Sequence, residues 1–316
     1  MAWLCFGLTA VVGLYLLGCA FSARTMVRPG RQKLWTDPKA AAGIDFEAIS
    51  FPAPDGVTLR GWFLPAPAAT ARPAPTLIII PGWLWNRLGN AQNNLLNDFP
   101  GGKRVELMPL ASAYHQAGYS VLMFDVRGFG ESDRSGPYTA GWQEHLDLLG
   151  ALDWLQARPD VDAERIGAIG FSNGGNCIVF ALAHTEALKA AIAVQPTKLS
   201  LFMANYMKPF GLVGRLFGWG TGVFYRLGGG PDLRLIDPLY ALRGAARTPT
   251  LYVEGTGDRW GSVAHVQTLE AATPVAEGLY PETGHRFDGY NHMVAHPELS
   301  LAFFGRHLGP APEKVE

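Results

Sequence analysis

The segment Gly170-Phe171-Ser172-Asn173-Gly174-Gly175 sets a serine between glycines, directly after the apolar run Ile166–Ile169 and ahead of a helical pattern. In that strand–turn–helix setting a serine stands on a sharp turn with its hydroxyl raised above a sheet edge. Gly170 and Gly174 carry no side chains to clash in such a turn. The amide of Asn173 then lies at a helix N-terminus, aimed at any oxyanion formed there. A serine hydroxyl is a weak nucleophile near neutral pH; it needs a base, and the base needs an acid to orient it. The acid is expected after a late strand and the base beyond it. Asp258 meets the first condition, in Gly255-Thr256-Gly257-Asp258 after the strand Leu251-Tyr252-Val253-Glu254. Glu254 still lies within that strand and is the weaker choice of acid. Five histidines follow Asp258. His265 falls in a helical stretch, His296 precedes Pro297, and His307 sits on the last helix. His285 comes just after a strand, in Glu282-Thr283-Gly284-His285-Arg286-Phe287, a loop position from which it can reach toward Ser172. His292 is the reserve. Ser172, Asp258 and His285 together are the equipment for acyl transfer through a covalent intermediate.

The surrounding pattern supplies elements to hold these residues. Asp45–Ser50 and Val57–Leu64 read as paired strands around the turn Pro54-Asp55-Gly56. Pro65 to Pro75 is an Ala/Pro loop. Thr76–Ile80 and Ser120–Phe124 are continuous apolar runs, as central parallel strands require. Arg165–Ile169, Ala190–Val194, Thr250–Glu254 and Ala276–Tyr280 add further strands. Met108–Gly118, Trp142–Leu155, Asn173–Thr185 and Leu299–Leu308 have helical spacing, with Trp142, Leu146, Leu149 and Leu152 forming one stripe. Strands alternating with helices predict an α/β fold, a mostly parallel doubly wound sheet covered on both faces. The alternation stops between Gln195 and Arg247. That stretch, rich in Phe, Tyr, Trp, Met and Gly, predicts an apolar cap inserted at about 196–247 over a pocket.

Residues Met1 to Ala23 carry no charged side chain, and about 20 such residues span a ~30 Å hydrocarbon core. The segment 1–23 therefore predicts a transmembrane anchor or signal segment, 24–45 a linker, 46–309 the catalytic body and 310–316 a loose tail. Arg24, Arg28, Arg31 and Lys33 follow the apolar run before the first acid, Asp37. This bias favours a single-pass anchor with the catalytic body in the cytoplasm. The alternative is an exported or lipidated protein, since Leu16-Leu17-Gly18-Cys19 has the look of a lipoprotein signal.

Composition narrows the partners. With 26 basic and 27 acidic residues among 316, the net charge of −1 leaves no electrostatic footprint for nucleic acid. Of the three cysteines, Cys5 and Cys19 lie in the apolar segment and only Cys177 in the body, so the body has neither an internal disulfide nor a cysteine zinc site. Gly101-Gly102-Lys103 lacks phosphate-loop spacing, and His292-Met293-Val294-Ala295-His296 lacks the glutamate of a helical zinc motif. No metal, nucleotide or other cofactor is expected.

Several stretches are similar to the α/β-hydrolase superfamily, and the resemblance runs over most of residues 46–309. They are Pro54-Asp55-Gly56-Val57-Thr58-Leu59-Arg60-Gly61-Trp62, Ile80-Pro81-Gly82-Trp83, Phe124-Asp125-Val126-Arg127-Gly128-Phe129-Gly130-Glu131-Ser132, Arg158-Pro159-Asp160-Val161-Asp162, the elbow around Ser172, Gly255-Thr256-Gly257-Asp258 and Gly284-His285. By position the resemblance implies Ser172 as nucleophile, Asp258 as acid, His285 as base, and the Trp83 amide as the second oxyanion donor beside Asn173. It implies structural roles for Asp125 and Arg127. Two departures stand out: Pro81-Gly82 replaces the family's usual His-Gly, and Leu88 to Val105 looks inserted beside the oxyanion loop. The expected function is a membrane-anchored serine hydrolase acting on a small acyl substrate, an ester or related bond. A peptidase or acyltransferase on the same triad, or a non-catalytic binding protein of this fold, are the alternatives.

Overall fold

A computed structural model describes residues 2–68, 73–92 and 100–309. The strands are β1 (Glu47–Pro52), β2 (Thr58–Leu64), β3 (Ala74–Ile80), β4 (Gly89–Asn90), β5 (Val105–Glu106), β6 (Ser120–Phe124), β7 (Val161–Phe171), β8 (Ala190–Val194), β9 (Thr250–Val253) and β10 (Ala276–Leu279). The helices are α1 (Ala2–Val27), α2 (Pro38–Ala42), α3 (Met108–Gln116), α4 (His145–Gln156), α5 (Asn173–Ala181), α6 (Leu199–Met207), α7 (Gly211–Leu227), α8 (Pro238–Ala241), α9 (Val263–Ala272), α10 (Arg286–Ala295) and α11 (Pro297–Leu308).

Eight strands form one sheet in the order β1-β2-β6-β3-β7-β8-β9-β10. From β6 to β10 every neighbour is parallel; β1 and β2 are antiparallel additions at one edge. Strand periodicity sends alternate side chains to opposite faces, and the core divides accordingly. Ile78, Ile80, Leu122, Phe124, Ala168 and Ala191 share one apolar layer with Leu148 and Leu152 of α4, Ile178 of α5 and Leu269 of α9. Leu77, Ile79, Val121, Met123, Ile169 and Ile192 share the other with Tyr114 of α3, Met293 of α10 and Phe303 of α11. This is the expected doubly wound α/β architecture. Because both faces are covered, the central strands read as unbroken apolar runs.

Some boundaries differ from those the sequence predicts. The helix expected from Trp142 begins at His145, because the Glu144 carboxylate accepts from the Thr139 amide and hydroxyl and from the Gly141 amide, fixing a turn there. Trp142 falls outside the helix, exposed, and Leu148, Leu152 and Leu155 are among the buried positions of α4. The elbow helix stops at Ala181 rather than Thr185, and its preceding strand starts early, at Val161.

α1 continues past the apolar run to Val27, and Thr9–Val27 is long and apolar enough to cross a membrane, at mean hydropathy 1.6 with 17% of it buried. Beyond it the chain lies on the body: the buried Gln32 side chain donates to Asn90 Oδ1 (2.8 Å) and accepts from the Ala91 amide (2.9 Å). Of the stretch 88–105, a short ladder pairs Asn90 with Val105, while 93–99 lie outside the described residues, as does the tail 310–316. Between β8 and β9 the chain builds α6 and α7.

Candidate active site

Ser172 follows β7 and opens α5 with φ 53° and ψ −106°, a backbone setting that non-glycine residues rarely adopt. Its neighbours enforce it. The Ser172 amide donates to Val194 O (2.8 Å), and Asn176 N returns to Ser172 O (2.9 Å). A Cβ on Gly170 would stand 2.2 Å from Gly174 O, and one on Gly174 2.3 Å from Ile80 O, so the turn closes only with glycine at both places. The Asn176 side chain ties the elbow to two flanking loops, donating to Ala140 O and Thr197 O and accepting from Thr197 N. The Asn173 amide, first in α5, is where the sequence places an oxyanion donor. Its side-chain amide is buried with no hydrogen-bond partner among the described residues.

Asp258 lies beyond the C-terminal end of β9, on the same sheet edge as Ser172. Its Oδ1 accepts from the amides of Trp260 (2.8 Å) and Gly261 (2.9 Å), and its Oδ2 from Gln195 Nε2 (2.9 Å) and from the Arg286 guanidinium. Burial acts to raise the pKa of this carboxyl. The Arg286 charge and the two amides outweigh it, and the carboxyl sits below its ordinary value. Arg286 is almost wholly enclosed. Besides Asp258, its Nη1 donates to Thr197 Oγ1 (3.1 Å), while Nη2 donates to Gln195 O (2.7 Å) and to Ser172 Oγ at 3.3 Å. The guanidinium thus occupies the space between nucleophile and acid. Burial disfavours its charge, but Asp258 more than compensates and raises its pKa, so Arg286 cannot take a proton from the serine.

Behind this pair, Glu254 at the end of β9 is fully buried. Burial and then the Asp258 charge raise its pKa well above the usual carboxyl range. Neither of its oxygens accepts a hydrogen bond. A Cβ on Gly261 would meet Asp258 Oδ2, Arg286 Nη1 and Glu254 Oε1 at 2.5, 2.7 and 2.9 Å, which measures how tightly the three side chains converge.

His285 lies in the loop ahead of a helix, as expected, but it does not hydrogen-bond to Ser172. α10 begins at Arg286, and His285 is its N-cap, with Nδ1 accepting from the Phe287 amide at 3.2 Å. The imidazole packs edge-on against Trp260, centroids 4.9 Å apart. Burial, and after it Lys103, lower its pKa, leaving the ring neutral at pH 7. Ser172 and Asp258 are brought together through Arg286, and none of the described histidines hydrogen-bonds to either. The reserve, His292, lies against His296 with centroids 4.6 Å apart. Trp83 stands over the cleft, stacked on Tyr138 with centroids 5.3 Å apart. Besides Ser172 and Arg286, the cleft is lined by Trp83, Trp85, Phe202, Trp260, Phe287 and Tyr290, and the Tyr290 hydroxyl interacts with that of Ser172.

The loop carrying Trp83 is held from below. Buried Arg87 donates to the buried Asp125 carboxylate through its amide (2.6 Å) and through Nη2 (2.6 Å), and also reaches Glu131. Arg127 joins Asp147 and Asp55 in the same manner. Asp125 and Arg127 thus act as struts between loops, away from the cleft lining. Sequence reasoning missed Arg286, Gln195 and Tyr290 as members of the site. The available signal was the basic residue directly beside His285, which has to find a carboxylate if it turns inward.

Comparison with known proteins agrees with this fold. Residues 55–223 match the family model for X-Pro dipeptidyl-peptidase (S15 family). An uncharacterized protein, YfhR, of Salmonella typhimurium is 33% identical over 138 residues, 44% of this chain and 41% of that one. A polyketide transferase, GrgF, of a Penicillium species is 32% identical over 151 residues, 47% of this chain and 44% of the other. The chain thus spans less than half the length of these relatives. The Pyrococcus furiosus esterase Pf2001 has a similar structure, with a TM-score of 0.69 at 24% identity over 90% of this chain and 99% of that one. On its elbow, its sheet order and the match over 55–223, the chain belongs to the peptidase S15 family, within the α/β-hydrolase superfamily of serine hydrolases.

Proposed function

We propose that this protein is a membrane-anchored serine hydrolase that cleaves an ester or related acyl bond, with Ser172 as nucleophile, His285 as base and Asp258 orienting it. The observation that carries the reading is the forced positive-φ elbow at Ser172, opening into a cleft of aromatic rings. In the working arrangement the guanidinium of Arg286 leaves the Asp258 carboxylate and the imidazole of His285, its chain neighbour, takes its place. His285 accepts the Ser172 proton as Oγ attacks the acyl carbonyl. The amides of Asn173 and Trp83 hold the oxyanion, each worth about 3 kcal/mol of barrier. The imidazolium then protonates the leaving group, and water releases the acyl chain by the same steps in reverse order. The Arg286 arrangement is a resting one, because no group bonded to Ser172 in it can serve as base.

The S15 match favours a second reading, a dipeptidyl-peptidase acting at X-Pro bonds. Recognition of a peptide's charged amino terminus calls for an unpaired acid beside the nucleophile. Among the described residues lining the cleft none is acidic, and both Asp258 oxygens are engaged. The apolar lining therefore supports an acyl group over a charged peptide end.

Fluorophosphonate labelling with ester hydrolysis tests the proposal. Labelling is expected to vanish in Ser172→Ala, and His285→Ala is expected to lose turnover by about 10⁴-fold, the scale on which a triad member acts. Full turnover in His285→Ala would remove that residue from the mechanism.

A further inference from the structure

α7 carries an apolar stripe that the body does not cover. Leu212, Leu216, Trp219, Val223 and Leu227 recur at helical spacing and are all exposed, Trp219 at 69% and Leu227 at 77%. The opposite side of the helix, with Gly214, Thr221 and Tyr225, is buried. A surface stripe of this length on one helix marks an interaction site, and what α7 packs against indicates its occupant. Tyr15 of α1 donates its hydroxyl to Leu216 O (2.8 Å), and Cys19 Sγ donates to Phe217 O (3.7 Å). Small residues allow the close approach. A Cβ on Gly220 would stand 2.5 Å from the Tyr15 hydroxyl and 2.7 Å from Cys19 Sγ, and one on Gly18 3.3 Å from the Phe217 ring. Glycines at such a crossing are how helices associate within lipid.

Resting on the reading of α1 as a membrane span, we propose that α7 enters the bilayer beside α1, its exposed stripe among the acyl chains of the leaflet from which α1 emerges. About 20 residues of α1 are needed to cross the ~30 Å hydrocarbon core. Counted from Trp3, these end near Ser22. Tyr15 lies seven residues inside that limit, about 10 Å at 1.5 Å per residue. The contacts of Tyr15 with Leu216, Cys19 with Phe217 and Val27 with Gly228 advance together along both helices, so α7 runs beside α1 and Leu216 and Trp219 fall within that depth. The charges agree with such a placement. Past Ser22, the exposed Arg24, Arg28 and Arg31 gather around Arg134, forming a basic rim at headgroup level.

The test uses the full chain in phosphatidylcholine–phosphatidylglycerol vesicles, with a Trp3→Phe background to silence the anchor. The emission lost on adding Trp219→Phe is that of Trp219 alone. It is expected to be quenched several-fold more strongly by brominated acyl chains than by aqueous iodide. Stronger quenching by iodide, with the chain still in the membrane after carbonate extraction, would overturn the placement of α7 and leave the anchor standing. Release of the chain by carbonate would overturn the anchor reading and the placement of α7 with it.

Discussion

Three ionisable side chains at the site share one buried volume, and their charges have to be apportioned. Arg286 is a fixed cation, and Asp258 its counter-ion, held by two amides and Gln195. A second full negative charge on Glu254 would lie beside Asp258 with no donor of its own, so Glu254 keeps its proton. This has a measurable consequence for stability. In the unfolded chain Glu254 ionises at about 4.3; in the folded chain its pKa is raised. A raised folded-state pKa contributes stability that is full below the unfolded value and is lost as pH rises toward the folded one. As pH rises from the unfolded value toward the folded one, the wild-type chain should therefore lose up to about 1.4 kcal/mol per pH unit through this group. Glu254→Gln has the same shape and no proton to lose. Its melting temperature relative to wild type should climb with pH across that range, and a difference that stays flat would show Glu254 ionised in the fold.

At the scale of elements, the elbow is a place where β7 and α5 meet too closely for any side chain. Gly170→Ala would drive a methyl into the Gly174 carbonyl at 2.2 Å, and backbone on both sides leaves nothing to yield. We expect a loss of about 1–3 kcal/mol or more and loss of fluorophosphonate labelling, since Ser172 hangs on that turn. Gly305 on α11 provides the contrast: no atom lies within 4 Å of where its Cβ would stand. Gly305→Ala should leave labelling intact and stabilise by about 0.5–1 kcal/mol through helix propensity. Equal effects at the two glycines would contradict the packing described for the elbow. The same contrast explains what the sequence reveals and what it hides. Thr76–Ile80 and Ser120–Phe124 are legible because both their faces are buried, and Ser172 because a strained turn demands glycines at set places. α10 is not legible: Arg286-Phe287-Asp288-Gly289-Tyr290-Asn291 mixes charge, glycine and ring with no apolar stripe. That hidden helix start makes His285 an N-cap and turns Arg286 toward Asp258. In the proposed mechanism a one-residue difference in side-chain direction there separates a resting site from a proton relay, and periodicity does not resolve single residues.

For the molecule as a whole, the apolar N-terminal helix is two things at once. Trp3, Phe6, Val11, Leu14 and Leu17 are exposed, as lipid-facing residues would be. Cys19, Ala23 and Met26, further along the same helix, are buried, and Ala23 and Met26 belong to the apolar layer that also holds α4 and α5. The Tyr138 amide donates to Met26 O (3.0 Å), and the Tyr225 hydroxyl to Tyr138 O (2.6 Å), so α1, α7 and the loop after β6 are joined in one chain of contacts. That loop's Tyr138 is also the ring on which Trp83 stacks, which links the N-terminal helix to the Trp83 side of the cleft. An anchor that merely tethers could be cut anywhere. The α1 helix should tolerate a cut before Tyr15 and not one after Val27. In detergent, a chain beginning at Tyr15 is expected to melt within about 2 °C of the full chain, since it keeps Tyr15, Cys19, Ala23 and Met26 against the body. A chain beginning at Arg28 exposes the surface that Met26 covers, which costs about 1.5–3 kcal/mol for that side chain alone, or about 5–10 °C in a domain of this size class. It should also hydrolyse esters more slowly, because Tyr138 loses its hold and Trp83 its support. If both truncations melted together and turned over alike, the second half of α1 would have no part in the body, and the link from α1 to the cleft would fall.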